Sequence, residues 1–310
     1  MLYRELLKKI TASLIGLYKI QKGDLGYYDG FNYWQKVGFH IIPNHYYHPI
    51  PDTSKLKISD FGEKSMIGIN TNDKTQLEVL RKLDEFKNEY KTFKNFSKAV
   101  NAQNDSNFYL NNMAFDGIDA LSYYGMIRHL RPKTVLEIGS GWSTKIAASA
   151  CLKNGNTKLI SIEPYPQPIL TKGFPGFSKL IKRKVENVPL KIFESLEADD
   201  ILFIDSSHVV RIGGDVNYIF FEVLPRLKKG VYIHVHDIFL PYDYPKDWVL
   251  KERRFWSEQY LLHAFLLFNN AFEIVFARGY MNEKYPKKVK AVFSDMVPIG
   301  GGSFWMRKIK

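Results

Sequence analysis

From about residue 116 onward, short apolar segments alternate with segments of helical spacing, and this alternation restricts the folds open to the chain. The segment 201–204 is apolar throughout, as expected for a parallel strand that is covered on both faces. Strands that alternate with helices predict an open α/β sheet. The predicted strands span 134–138, 158–162, 201–204, 231–235, 272–277 and 303–307. The predicted helices span 75–96, 116–130, 143–152, 216–227 and 251–269.

The residues before this alternation have a different character. Residues 2–18 carry apolar side chains at helical spacing among basic residues, which predicts a helix that packs on the protein or contacts an anionic membrane surface. Residues 21–60 are rich in Gly, Pro, Tyr and His and predict irregular loops, and 101–112 is an asparagine-rich linker. We therefore predict a helical and aromatic extension at 1–109, which could act as a lid, and a main domain at 110–310.

Composition excludes several classes of protein. With 45% hydrophobic residues among 310, the chain is not a disordered one, and a single cysteine excludes a disulfide framework or a cysteine-built zinc site. No apolar run is long enough to span a membrane and no signal peptide is visible, so we expect a cytoplasmic location. The formal net charge of +12 favours an anionic partner, such as nucleic acid, a membrane surface or an acidic substrate.

A small-residue turn joins the predicted strand 134–138 to the next helix. Gly139 and Gly141 would let a ligand approach the backbone and face the amides at the start of the helix. A dinucleotide site would need a third glycine where Thr144 stands, and a purely structural turn remains an alternative. Glu163 follows the strand 158–162, a position from which a carboxylate can hold the hydroxyls of a ribose.

Together these segments resemble the class I S-adenosylmethionine-dependent methyltransferases. The stretch from Glu137 to Ser143 is similar to their E/D-x-G-x-G-x-G motif, with Ser143 at the last glycine. The resemblance runs from about residue 110 to the C-terminus and implies S-adenosylmethionine as cofactor. It also implies a seven-stranded, mostly parallel Rossmann-like sheet with helices on both faces. It places Glu137 at the methionine end of the cofactor and Glu163 on the ribose. The implied cofactor-binding residues are Glu137, Gly139, Ser140, Gly141, Ser143, Glu163 and Asp205.

A second group of polar residues follows two later strands. Asp205 and His208 come after 201–204, and His236 and Asp237 come after 231–235. If these strands are neighbours, Asp205 and Asp237 converge and call for a shared proton or a cation such as Mg²⁺. His208 has the intrinsic pKa of a general base. The alternative is that each aspartate caps the following helix.

The spacing of Asp205 and His208 resembles that of metal-dependent O-methyltransferases acting on macrolide sugars. Those enzymes have Glu-Asp where this chain has His236-Asp237, so His236 is either a ligand, which would suggest a transition metal, or a neighbour of the ligands. The resemblance implies His208, Asp205 and Asp237 as catalytic residues. It implies Asp205, Asp237 and His236 as ligands of Mg²⁺ or another divalent metal. We expect His234 to make a core hydrogen bond instead.

The expected reaction is methyl transfer to a hydroxyl of a small-molecule or glycan acceptor, such as a sugar, a polysaccharide or a natural product. The aromatic segments 40–52 and 237–248 could contact that acceptor. A zinc site formed by His40, His45 and His48 is a further hypothesis, but the spacing of these histidines matches no compact zinc-ligand motif.

Two other functions stay open. A nucleic-acid methyltransferase would suit the charge, but base methylation usually shows an Asn/Asp-Pro-Pro-Tyr/Phe loop where this chain has Asp205-Ser-Ser-His208, so a nucleic-acid partner is not expected. A non-catalytic binding protein with the cofactor fold is the third interpretation. The positive charge is explained equally well by solubility or by an anionic glycan or glycolipid substrate.

Overall fold

The computed structural model describes residues 31–40, 42, 44–97, 100–293 and 301–310. The chain divides into two compact units between Asp60 and Phe61. The helix predicted within residues 2–18 lies outside the described residues. The domain boundary predicted between residues 109 and 110, and the role of the extension as a lid, stay predictions.

The described part of the first unit contains α1 (Phe31–Lys36), followed by turns, and a 3-10 helix covers Ile58–Phe61. The rings of His45 and Tyr47 stack with their centroids 5.4 Å apart, and His45 Nδ1 accepts a hydrogen bond of 3.3 Å from the Tyr47 amide. His45 is therefore engaged within its own segment.

The second unit carries the sheet and the helices that cover it. Its strands are β1 (Lys94–Asn95), β2 (Tyr109–Leu110), β3 (Thr134–Ile138), β4 (Lys158–Ile162), β5 (Lys179–Ile181), β6 (Ile201–Ile204), β7 (Tyr232–Val235), β8 (Phe272–Ala277) and β9 (Phe304–Lys308). Its α-helices are α2 (Asp73–Asp84), α3 (Lys87–Tyr90), α4 (Gly117–Leu130), α5 (Trp142–Asn154), α6 (Pro168–Lys172), α7 (Lys191–Glu194), α8 (Asp215–Tyr218), α9 (Lys246–Leu250), α10 (Glu258–Leu266), α11 (Arg278–Lys284) and α12 (Pro286–Phe293).

Seven of these strands form one sheet in the order β5-β4-β3-β6-β7-β9-β8. All neighbouring pairs are parallel except those of β9, which runs antiparallel to β7 and to β8. The predicted mostly parallel α/β sheet is confirmed. The chain passes outward from β3 to β4 and β5 and then returns to β6, so the direction of winding switches between β3 and β6. Ligands of open α/β sheets bind at such a switch, outside the carboxyl ends of the strands.

Successive side chains of the central strands point to opposite faces of the sheet. Val135 and Phe203 pack into one buried cluster with α4 and α5. Leu136 and Leu202 pack into a second buried cluster with residues 216–227 and α10. Helices therefore cover both faces, which leaves the carboxyl ends of the strands as the place where the sheet can meet a ligand.

The long helix predicted over 75–96 is two helices, α2 and α3. Phe86 leaves the helical region, with φ −98° and ψ 7°. The Tyr90 hydroxyl donates a hydrogen bond of 2.9 Å to the Leu83 carbonyl and so satisfies one of the free acceptors at the end of α2. The predicted helix 216–227 is helical as far as Arg226 but changes from α8 to a π-helix at Ile219–Val223 and a 3-10 helix at Leu224–Arg226.

The helix predicted over 251–269 is also wrong in its first part, since α10 begins only at Glu258. Arg253 has φ 62°, a left-handed conformation that an α-helix does not accommodate. The amides of Ser257 and Glu258 instead donate to the carbonyl of His208, at 2.9 and 3.0 Å. This break brings the start of α10 against the segment that follows β6. Among the described residues, no helix combines the length and the apolar character needed to cross a bilayer.

Candidate active site

The turn after β3 brings the ends of three strands together. The Gly139 amide donates to the Ile162 carbonyl at 3.0 Å, and the Asp205 amide donates to the Ile138 carbonyl at 2.9 Å. Gly139 has φ +90°, and a Cβ there would lie well inside van der Waals contact of the Asp205 carbonyl oxygen. A Cβ at Gly141 would meet no atom within 4 Å. Gly139 is therefore required by the packing of β3 against β6, whereas Gly141 faces open space at the start of α5.

Two cavities open at this edge of the sheet. The larger cavity, of about 930 Å³, is lined by the turn residues Ser140, Gly141 and Ser143 and by the polar residues after β6 and β7. The smaller cavity, of about 270 Å³, is lined by Gly139 and Glu163 and by residues 184–186 after β5. Asp205 lines both cavities. A single extended ligand could therefore occupy both, passing over Gly139 and Asp205.

Glu163 is oriented in the smaller cavity by two hydrogen bonds. Its carboxylate accepts from the Tyr165 amide at 2.8 Å and from the Ser140 hydroxyl at 3.4 Å. The position directly after β4 and the partial exposure of Glu163 leave carboxylate lone pairs available to a ligand. This placement suits the predicted contact with ribose hydroxyls.

Glu137 lies beneath the turn and does not line either cavity. It sits inside β3, where alternation points its side chain toward α4 rather than toward the strand end. The fully buried carboxylate accepts from the Tyr123 hydroxyl at 3.0 Å and from the Ser161 hydroxyl at 2.7 Å. Burial raises the pKa of Glu137 to about 7. The expected contact of Glu137 with the methionine end of a cofactor stays a prediction, and the hydrogen bonds seen here join Glu137 to α4 and β4.

The predicted catalytic residues converge in the larger cavity. His208 Nε2 lies 3.1 Å from Asp205 Oδ1 and 3.7 Å from Asp237 Oδ2. Each of these three residues offers one possible metal-ligand atom, and the three atoms lie within 4.8 Å of one another. Among the described residues, this is the group of three or more His, Cys, Asp or Glu side chains that could hold a metal ion. Both His208 and Asp237 adopt positive φ, 60° and 56°, in the segments that follow β6 and β7.

His236 approaches the same two carboxylates from the other side. Its Nδ1 lies 3.5 Å from Asp205 Oδ1 and 3.6 Å from Asp237 Oδ2, and its Nε2 lies 3.3 Å from Asp119 Oδ2. The Nδ1 atom is buried and makes no hydrogen bond of proper geometry. Asp119 is held in turn by the amides of Gly302 and Ser303, at 2.8 and 3.1 Å. The carboxylates of Asp205 and Asp237 are thus flanked by two imidazoles.

Glu258 is a site residue that the sequence analysis did not identify. Its carboxylate is fully buried, and Oε2 lies 2.9 Å from His208 Nδ1. A carboxylate at Nδ1 fixes the ring so that Nε2 faces Asp205 and Asp237. Glu258 lies 50 residues beyond His208 and inside a segment predicted to be helix from residue 251, so nothing local pointed to it. Asp119, in the first turn of α4, was missed for the same reason.

The electrostatics of this cluster favour a positive charge. Burial lowers the pKa of His208, but the hydrogen bonds that its ring donates to Asp205 and Glu258 outweigh burial and raise the pKa to about 10. Burial raises the pKa of Asp237, while the nearby charges of His236 and His208 act against it. A proton or a divalent cation would supply the charge that the carboxylates attract.

The donor set fits a divalent metal. Carboxylate oxygens and imidazole nitrogens converge, and the unpartnered Nδ1 of His236 is directed at the same oxygens. A mixed oxygen and nitrogen set suits Mn²⁺, Fe²⁺ or Zn²⁺ better than Mg²⁺, which prefers oxygen ligands. The three donors that lie mutually closest include His208, whereas the sequence analysis had grouped His236 with the two aspartates.

His234 lies outside this cluster. Its Nε2 is 2.5 Å from the Ser303 hydroxyl, and its ring stacks against Tyr123 and Phe203 in the core. The expectation that His234 makes a core hydrogen bond agrees with this position.

Comparison with known proteins agrees with this geometry. The model of a methyltransferase-domain family matches residues 136–238, which run from β3 through the glycine turn, Glu163 and Asp205 to Asp237. The chain is also 32% identical over 177 residues to an uncharacterized protein of Archaeoglobus fulgidus; the match covers 54% of this chain and 78% of the archaeal protein.

Several solved methyltransferases are similar in structure. The O-methyltransferase TomG from Streptomyces achromogenes, in complex with S-adenosylmethionine, is 15% identical with a TM-score of 0.39, covering 79% of this chain and 93% of its own. The O-methyltransferase from Bacillus cereus, in complex with S-adenosylhomocysteine, is 11% identical with a TM-score of 0.36, covering 75% and 91%. The family match confirms the methyltransferase domain predicted from the sequence. Residues 136–238 form a class I methyltransferase domain, the kind of domain that uses S-adenosylmethionine as cofactor.

Proposed function

We propose that the protein transfers a methyl group from S-adenosylmethionine to a hydroxyl of a sugar, a polysaccharide or a natural product. The observation that carries this proposal is the convergence of Asp205, His208 and Asp237 in the cavity that the glycine turn also lines. Methyl transfer to oxygen requires a hydroxyl that is deprotonated and aligned with the sulfonium methyl, and a carboxylate–imidazole cluster beside the cofactor turn can meet both requirements.

The proposed division of roles follows the geometry. Glu163 would hold the ribose in the smaller cavity, and the backbone at Gly139 and Gly141 would let the cofactor pass into the larger one. His208 would accept the acceptor's proton at Nε2, since Nδ1 is occupied by Glu258. Its raised pKa means that it can do so only when the positive charge of the bound sulfonium or of a divalent metal lowers the pKa of the ring. Asp205 and Asp237 would orient the acceptor or hold a divalent metal together with His236, which leaves Nε2 of His208 for the proton. When bound, a divalent metal would neutralise the two carboxylates and lower the pKa of a coordinated hydroxyl.

The test is a screen of hydroxyl acceptors with isotopically labelled S-adenosylmethionine, repeated with Asp205→Ala and Asp237→Ala. We expect both substitutions to abolish turnover while cofactor affinity, measured by calorimetry, stays within a few-fold of the wild type. An equal loss of cofactor binding would show that these aspartates build the cofactor pocket and would overturn the assigned roles. Failure of the wild-type protein to bind S-adenosylmethionine would overturn the proposed function itself.

A further inference from the structure

One side of the larger cavity is formed by Trp248, Arg254 and Trp256, here called the tryptophan–arginine wall. The Arg254 guanidinium lies over both rings, with Cζ 4.5 Å from the Trp248 centroid and 5.1 Å from the Trp256 centroid. The Trp256 ring also lies 4.3 Å from the His208 ring. The wall therefore starts at the proposed reaction centre, with Arg254 one aromatic ring away from His208.

Arg254 is distinct in charge from the rest of the larger cavity. Among the described residues that line it, Arg254 is the single lysine or arginine. The acidic side chains there suit a cationic sulfonium but repel an anionic group. Outside the carboxylate–imidazole cluster, an anion on a substrate would therefore find its counter-charge at Arg254. The acidic lining residues are Asp116, Asp119, Asp205, Asp237 and Glu252.

Arg254 is held in place yet keeps most of its donors. Its amide donates to the Trp248 carbonyl at 2.9 Å, and contact of the guanidinium with two indole rings restricts the side chain. Its ion pair with Glu252, at 2.7 Å, joins side chains that are 39% and 45% exposed, and such pairs contribute little. A guanidinium has five N–H donors arranged to meet a carboxylate or a phosphate with two parallel hydrogen bonds.

We propose that the tryptophan–arginine wall is the acceptor subsite, and that it selects a sugar bearing an anionic oxygen group, either a carboxylate or a phosphate. This inference rests on the proposed function and narrows its substrate class. Since one ring separates Arg254 from His208, the anionic group and the methylated hydroxyl belong to the same sugar or to adjacent sugars. The indole surfaces around Arg254 contact the apolar faces of that sugar. The net charge of +12 would attract such an acceptor to the protein.

The test uses the full chain saturated with S-adenosylhomocysteine and three probes: methyl β-D-glucuronide, glucose 1-phosphate and methyl β-D-glucoside. Binding is followed by saturation-transfer NMR titration. We expect one or both anionic probes to bind at least tenfold more tightly than the neutral glucoside. Arg254→Gln should remove that difference in affinity. Arg254→Lys should retain part of it, because lysine keeps the positive charge but lacks the planar guanidinium with its paired donors. The matched control is Arg253→Gln, which changes a neighbouring exposed arginine that does not line the cavity.

Glucuronide binding alone would identify a carboxylate, and phosphate binding alone a phosphate. Equal binding of the neutral glucoside, anionic binding that survives Arg254→Gln, or no binding of any probe would overturn the inference. Calorimetry with S-adenosylhomocysteine separates a failure of this inference from a failure of the proposed function. If the cofactor product binds but substitution of Arg254 has no effect on the probes, only the anionic subsite is rejected. The same titration on Arg254→Gln checks that the variant is folded.

Discussion

His208 Nδ1 lies 2.9 Å from the fully buried carboxylate of Glu258, while Nε2 of the same ring lies 3.1 Å from Asp205. The imidazole is therefore held at both nitrogens by acids from different parts of the chain. Glu258 reaches this position because the chain breaks before α10 and its first amides donate to the His208 carbonyl. The orientation of the proposed base thus depends on a residue that contacts no cavity.

Glu258→Gln should lower turnover about 10- to 100-fold, the usual cost of removing a carboxylate that orients a functional histidine. Gln is nearly the same size but carries no charge, so the ring loses the partner that fixes Nε2 toward Asp205. Cofactor affinity, measured by calorimetry, should stay within a few-fold. The exposed Glu194→Gln is the control and should leave both quantities unchanged. Wild-type turnover in Glu258→Gln would refute a positioning role.

Gly139→Ala should lower the free energy of unfolding by about 2 kcal/mol more than Gly155→Ala. Both glycines have similar positive φ, +90° and +85°, so an alanine meets a comparable penalty from φ at either position. Only at Gly139 does the added Cβ collide with the Asp205 carbonyl. Urea unfolding monitored by fluorescence measures the difference. Equal losses would mean that β3 and β6 can separate without cost.

Glu137 should make stability depend on pH in a defined direction. Burial raises its pKa from 4.5 to about 7, so the folded protein binds the extra proton between these values. The contribution of Glu137 to the free energy of unfolding is therefore largest below pH 4.5 and declines by about 3 kcal/mol as pH rises through 7. The comparison is urea unfolding of wild type and Glu137→Gln at pH 5 and pH 8. The difference between the two proteins should shift in favour of Glu137→Gln at pH 8, and a constant difference would contradict this account.

Prolonged dialysis against EDTA should reduce turnover, and added divalent metal should restore it. Because imidazole nitrogens accompany the two carboxylates, we expect Mn²⁺, Fe²⁺ or Zn²⁺ to restore activity at lower concentration than Mg²⁺. A control with zinc-saturated EDTA, which does not remove transition metals, accounts for other effects of the chelator. Turnover that is indifferent to chelation would exclude a metal role for Asp205 and Asp237 and leave them to orient the acceptor.

The central strands could be predicted because their signals are local. The segments 134–138, 158–162 and 201–204 are mainly apolar, and a glycine or an acidic residue follows each of them. Each segment is a strand with those bounds. β5 (Lys179–Ile181) escaped prediction because three residues with a basic first position carry too little pattern. With β5 missing, residues 184–186 of the smaller cavity had no predicted place.

The polar residues of the site could be predicted only where they follow directly on a predicted strand. Asp205, His208 and Asp237 follow strands that are neighbours in the sheet, so their convergence followed from the predicted topology. Glu258 and Arg254 depend on a break in a segment whose apolar spacing favoured one long helix. That break is made by tertiary hydrogen bonds to His208, which sequence periodicity does not record.

The most direct test of the central claim, that Asp205, His208 and Asp237 form the centre for methyl transfer to oxygen, is transfer of labelled methyl by His208→Gln. The measurement compares single-turnover rates of wild type and variant on the acceptor found in the screen, with both proteins saturated with S-adenosylmethionine. We expect a loss of about 100-fold or more, the usual contribution of a general base, with the methyl ether as the product of the wild type. A rate in His208→Gln equal to that of the wild type, or a methyl group on nitrogen or carbon, would contradict the account.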